Sequence, residues 1–149
     1  MIHRYALASK TLPDTLKQVL DSVIKIFYFV KGSALQSRLF RHFCHEMGAD
    51  HESLIYHTQV RWLSKGNVLQ RVVELKEEIK LFLQVQGKQE LRSNFDDERW
   101  CGSLAYLADI FEQLNIVNLK MQGPETNILK FKDILTSFIE KLDNWIRKA

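Results

Sequence analysis

Residues 64–87 read SKGNVLQRVVELKEEIKLFLQVQG, and the spacing of their apolar members decides the fold. Val68, Leu69, Val72, Leu75, Ile79, Phe82 and Leu83 recur mostly every three or four residues, which lines them along one stripe of an α-helix. Ser64 offers a side-chain oxygen as N-cap, and Gly87 a C-terminal stop. Lys76 and Lys80, with Glu74, Glu77 and Glu78 beside them, form a solvated flank with modest i,i+4 support. One helix is expected from Ser64 to Gly87.

The same period extends outward in both directions. His3 to Lys10 reads as a short helix, broken at Leu12-Pro13-Asp14. Pro13 suits a first helical turn, where its missing N–H costs nothing. Leu16, Val19, Leu20, Val23, Ile24, Phe27 and Val30 then mark one face of a helix that ends at Gly32. Another runs from near Ser33 to about Met47 on Leu35, Leu39, Phe40 and Phe43, with Gly48 as its stop. Between Gly48 and Trp62 the periodicity lapses, and Ser53 to Tyr56 is short enough to be extended. Beyond the central helix, Lys88 to Asn94 reads as polar linker.

Two long helices follow. Asp96 to Met121 turns Trp100, Leu104, Leu107, Ala108, Phe111, Leu114 and Leu119 inward, and Glu125 to Arg147 carries Ile128, Phe131, Leu135, Phe138, Leu142 and Trp145. The short Gly123-Pro124 connection favours an antiparallel pair. No strand pattern, internal repeat or low-complexity tract appears. The fold class is all-α: an antiparallel helical bundle forming a single domain over 1–149.

Size and composition bound the function. A chain of 149 residues is one domain, or a piece of a larger protein. Its net charge of +3 admits nucleic-acid contact without arguing for it. Cys44 and Cys101 are too few for a disulfide framework and fit a reduced, intracellular setting. The N-terminus has no signal-peptide pattern. No apolar run approaches the ~18 residues that span a bilayer; the longest, Ile26 to Val30, suits a buried helix face. The chain reads as soluble.

Few constellations carry chemistry. Consecutive residues on a helix diverge, so Asp96-Asp97-Glu98 is a helix-start signal favoured by the dipole, as is Asp14, and not a converging acid cluster. His42, Cys44, His45, His51 and His57 match no standard ligand spacing, and Cys44 reads as a buried small hydrophobe. There is no Gly-x-Ser-x-Gly elbow and no glycine-rich phosphate loop. Arg61-Trp62 stands out. A guanidinium forks onto phosphate, an indole stacks on an unpaired base, and Lys65 and a helix start follow, with Arg71 two turns along. The alternative is that Trp62 is core and Arg61 pairs with an acid.

His57-Thr58-Gln59-Val60-Arg61-Trp62-Leu63-Ser64-Lys65-Gly66-Asn67-Val68-Leu69, continuing through Arg71 and Glu74-Leu75, resembles the signature of the Charlie/Buster branch of hAT-type DNA transposases. It is similar also to their domesticated descendants: BED-type zinc finger proteins, SCAN-domain transposase-like proteins and the transposase-like half of transcription factor II-I repeat proteins. Ile2-His3-Arg4 through Ala6-Leu7-Ala8-Ser9-Lys10 resembles the segment after the family's Cys-x-x-His motif. Phe95-Asp96-Asp97-Glu98-Arg99-Trp100, Leu114-Asn115 through Asn118-Leu119-Lys120-Met121-Gln122-Gly123, and Phe138 through Lys141-Leu142 and Trp145 resemble its downstream helices. The resemblance spans essentially the whole chain.

In such transposases a large helical insertion interrupts a ribonuclease-H-like core between the second and third catalytic carboxylates. The resemblance implies that residues 1–12 are a lead-in and 13–149 the insertion, with His3 in the place of the motif's histidine. The motif's cysteine and all three catalytic acids would lie outside 1–149, as would a BED finger and the dimerisation segment. The expectation is a truncated or domesticated, non-enzymatic domain in the nucleus, with the cytosol as second choice. It would contact DNA through Arg61, Trp62, Lys65 and Arg71. No cofactor, metal, membrane or small-molecule substrate is expected. The competing reading is a helical protein-interaction module without DNA binding. It would bind a partner or self-associate through helix faces left exposed, the first helix and the stripe at Ile26 to Val30 among them. A third is a decayed copy with no selected role.

Overall fold

A computed structural model describes residues 12–54, 62–121, 124 and 127–148, apart from the side chains at 62–65, 142, 145, 146 and 148. Among the described residues there are seven α-helices, one 3-10 turn and no strand: α1 (Asp14–Lys31), α2 (Ala34–Glu46), α3 (Trp62–Glu74), α4 (Lys76–Val85), α5 (Gln89–Ser93), the 3-10 turn Asn94–Asp96, α6 (Glu98–Met121) and α7 (Ile128–Lys148). The fold is all-α. None of these helices is long and apolar enough to cross a membrane. The short helix expected at His3 to Lys10 lies outside the described residues. The chain divides into two compact units, residues 1–109 and 110–149, and α6 belongs to both.

In the first unit, α1 packs on α2 and α3, α2 on α4, and α3 on α4. Val19, Leu20, Val23, Ile26 and Val30 form the buried face of α1. Ile26 takes the place expected for Phe27, which is only half-buried. Ile26 and Val30 are fully enclosed, so the two ends of the stretch expected to be left open to a partner are core, while Tyr28 between them is exposed. Gly32 keeps right-handed torsions (φ −64°, ψ −19°). Its role is one of space, because a Cβ there would come 2.4 Å from the Tyr28 carbonyl oxygen.

Ser33 caps α2, its hydroxyl accepting the Gln36 N–H at 3.1 Å. Phe40 and Cys44 are the buried residues of α2. Leu35 and Leu39, expected on the inward stripe, are exposed; they lie about 100° or more round the helix axis from Phe40. Gly48 ends this segment at φ +66°, in the left-handed region that glycine adopts without strain.

The helix expected from Ser64 to Gly87 differs in two ways. It begins at Trp62, so Ser64 lies within the first turn and not before it. Serine costs a helix less than about 0.7 kcal/mol relative to alanine and does not halt it. It also breaks at Leu75, whose torsions are φ −99° and ψ 24°. Leu75 itself keeps both of its helical hydrogen bonds. The Leu75 N–H donates to the Arg71 carbonyl at 3.0 Å, and the Leu75 carbonyl accepts the Ile79 N–H at 2.9 Å. Leu69, Val72, Leu75, Ile79, Phe82 and Leu83 are all buried.

The expected polar linker is α5 and the 3-10 turn. Phe95 anchors them, buried and edge-on to Trp100 at 5.0 Å between ring centres. Asp96 clamps them from outside, 2.7 Å from Lys80 Nζ and 3.2 Å from an Arg92 guanidinium nitrogen. The Lys80 hydrogen bond holds the Asp96 carboxyl below its ordinary value. Asp97 then starts α6, its carboxylate accepting the Arg99 N–H at 2.9 Å. That is the helix-start role expected of the acid cluster.

The second unit is a helical hairpin. Gln113 on α6 accepts a hydrogen bond from Lys141 on α7 at 3.4 Å, and the short connection makes the two helices antiparallel. The last helix starts at Ile128, three residues later than expected, because Asn127 caps it by accepting the Lys130 N–H at 2.9 Å. Leu119, expected inward, is 63% exposed. Only the side of α6 carrying Gln113, Ile116, Val117 and Lys120 faces α7, and Leu119 lies on the other side. Ile128 and Phe131, also expected on a packed stripe, are exposed too.

Candidate nucleic-acid interface

Of the four residues expected to meet DNA, Trp62 and Lys65 are in the first turn of α3 and Arg71 is in its last. Arg61 lies outside the described residues, as does His57. Trp62 and Lys65 are three apart in the first turn of α3; of that turn only the backbone is described. A helix beginning at Trp62 leaves its first-turn N–H groups without intrahelical acceptors, and such a terminus attracts phosphate.

Arg71 is placed differently. At about 100° per residue, its position is about 180° round the axis from that of Trp62. Its side chain is mostly buried and committed to Glu74, with Nε 3.3 Å from Oε2. His51 Nε2 lies 3.3 Å from the same oxygen. Glu74 thereby joins α3 to the segment that follows α2. His51 and Glu74, with Asp50 and Glu78, line a cleft of about 290 Å³. Three carboxylates in one cleft repel a phosphate backbone, so this side of α3 is unsuited to DNA. The structure does not bring Arg71 together with Trp62 and Lys65.

Position 62 also has a structural register. Gly66 and Leu69 are buried, and both lie within about 40° of position 62 on the helix. This bears on the open alternative for Trp62, a core position.

The histidines and Cys44 have partners of their own. His45 Nδ1 lies 2.9 Å from Glu52 Oε1, and this hydrogen bond raises the imidazole above its ordinary pKa. Cys44 is fully enclosed, and burial, with Glu78 and Glu52 nearby, pushes its thiol up to about 11. It is the buried small hydrophobe that was expected. Among the described residues no group of three or more His, Cys, Asp or Glu is placed to hold a metal ion.

Sequence reasoning missed two arrangements. The Arg71–Glu74 contact has the spacing i,i+3 and was legible in principle. The arrival of His51 at Glu74, from a segment without periodicity, left no signal.

Compared with known proteins, residues 1–149 match the family model of the FAM200/GTF2IRD2 helical domain over their whole length. No solved structure matches the chain.

Proposed function

The chain belongs to the FAM200/GTF2IRD2 helical-domain family, which is transposase-derived and hAT-related, and from that premise we propose a non-catalytic domain that contacts DNA at the start of α3. The observation that supports this reading is that α3 runs from Trp62, so that positions 62 and 65 share the first turn of a helix whose terminus attracts phosphate, with Arg61 next to them in the sequence. Arg61 and Lys65 would engage phosphates, and Trp62 would stack on an unpaired base. Arg71 would act as scaffold through Glu74. The non-catalytic part rests on what the described acids do: Asp97 caps α6, Asp96 holds Lys80 and Arg92, and Glu74 holds Arg71 and His51. On this reading the domain is the counterpart of the helical insertion of a ribonuclease-H-like transposase core, and its work is nuclear.

Fluorescence anisotropy with hairpin and single-stranded DNA at several salt concentrations tests it. Binding should weaken with salt. Trp62→Ala and Lys65→Glu should each weaken it about tenfold, in line with about 1–3 kcal/mol for a stacked base, with helix content unchanged by circular dichroism. Arg71→Ala should leave it unaltered at equal helicity. Binding that survives Trp62→Ala and Lys65→Glu unchanged would sink the proposal.

A different observation favours a second reading, a protein-interaction module without DNA binding. The second unit exposes large apolar side chains, Ile128 at 87% and Leu129 at 71% among them. Isolated exposed apolar residues are ordinary, but several on one short hairpin mark an interaction surface.

A further inference from the structure

Of the exposed large apolar residues of α7, Ile128, Phe131 and Ile139 fall on one side of the helix, and Leu129 lies away from them. Ile134, Phe138 and Lys141 line the groove against α6. Continuing round the helix away from that groove, Leu135, Ile128 and Ile139 follow within a sector about 100° wide measured from Phe138. Leu135 is half-buried, whereas Ile128 and Ile139 are exposed, Ile139 at 54%. The sequence continues the same spacing with Leu142 and Ile146. Residues 128, 135, 139, 142 and 146 follow the alternation of threes, fours and sevens that makes a helix–helix seam. α6 covers one side of α7, and this sector is a second, uncovered one.

The charges beside the seam specify its occupant. Lys132 and Asp143 are both exposed and lie within about 20° of each other round the axis, on the same edge of the sector. Among the described residues neither is recorded in an ion pair. They stand at equal distances on either side of a point between residues 137 and 138, and α7 itself is centred at 138. Laid antiparallel against an identical helix about that point, Lys132 of each copy comes level with Asp143 of the other. The same operation brings Leu135 to within one residue, about 1.5 Å of rise, of Ile139 of the other copy, and position 128 as close to position 146. In a parallel, in-register pair the two-fold axis runs along the seam and puts this edge of one copy on the opposite side of the seam from the same edge of the other, so Lys132 and Asp143 would not reach each other across the contact. An isologous two-fold contact is the arrangement in which this edge is self-complementary.

We propose that α7 pairs antiparallel with α7 of a second copy of this chain, along Leu135 and Ile139 at the centre, with two Lys132–Asp143 ion pairs beside them. Two hairpins joined this way form a four-helix bundle. That relieves a unit of 110–149, a size at which a single core is rarely sufficient by itself. The pairing is independent of any DNA contact at α3.

Sedimentation equilibrium on the full 149-residue chain tests the proposal. The expected mass is twice the 17.5 kDa of one chain. Ile139→Lys should give a monomer. Lys132→Asp and Asp143→Lys should each raise the dimer dissociation constant about tenfold, and the double variant carrying both should regain most of the wild-type affinity. These two sites are on the surface, so circular dichroism should show unchanged helicity, and the charge swap keeps its force even where Ile139→Lys fails to fold. A wild-type chain that is monomeric at every concentration overturns the pairing. So does a dimer in which the double swap is no tighter than the single ones. Either result leaves the anisotropy measurement of DNA binding untouched, so the two proposals fail separately.

Discussion

Phe82 is the residue on which the core of the first unit depends most. Its ring is 2% exposed and meets Phe40, Phe43 and Phe29 at centre-to-centre distances of 5.1, 5.8 and 6.2 Å. Phe82→Ala should cost about 3–5 kcal/mol, enough to shift the urea midpoint far or to abolish a cooperative transition. A loss below about 1 kcal/mol would mean the cluster is not a packed core. His45 tests a surface contact. Glu52 holds its imidazole above the ordinary value, so the contact is at full strength where an unfolded histidine would also be protonated. It is lost as pH rises through the higher folded value. A proton NMR titration should find His45 above an ordinary histidine, and Glu52→Gln should bring it back down; an unshifted wild-type His45 would contradict the contact. The burial of Phe82 and Cys44 was legible from composition and spacing. The partners of His45 and His51 were not, because they are reached across a turn whose course periodicity does not report.

At the scale of elements, some self-contained local chemistry was readable. Ser33 and the acids at Asp97 sit where a helix needs an acceptor, and both cap one. Asp97→Ala should cost about 1 kcal/mol, seen as a lower thermal midpoint with little change in far-ultraviolet signal. An unchanged midpoint would show that the 3-10 turn alone starts α6. The segment taken for linker was misread for a physical reason. Within α5 only Leu91 is apolar, so no stripe appears, and what fixes the segment comes from elsewhere: Trp100 against Phe95, and Lys80 against Asp96. The break at Leu75 is likewise silent in the sequence, since leucine is a good helix former.

For the whole molecule, the all-α class followed from periodicity alone. Which side of each helix is covered did not, because a stripe records that a face is apolar and not what lies against it. Leu119 and Ile128 sit on such stripes and are exposed, whereas Ile26 and Val30, read as available to a partner, are enclosed. The candidate DNA site was read as a motif, and of its four members Arg71 is the one whose side chain is described, paired with Glu74. A last consequence follows from α6 being a single 24-residue helix held in common by both units. Its first half carries Trp100, Leu104, Leu107 and Ala108, all enclosed, while its last ten residues include exposed Ile116 and Leu119. Amide hydrogens should therefore exchange with solvent at graded rates along one unbroken rod. Those near Leu104 to Ala108 should open only with the whole protein, and those near Ile116 to Met121 through local fraying. Uniform protection from Glu98 to Met121 would mean instead that the rod opens as one cooperative piece, carrying both units with it.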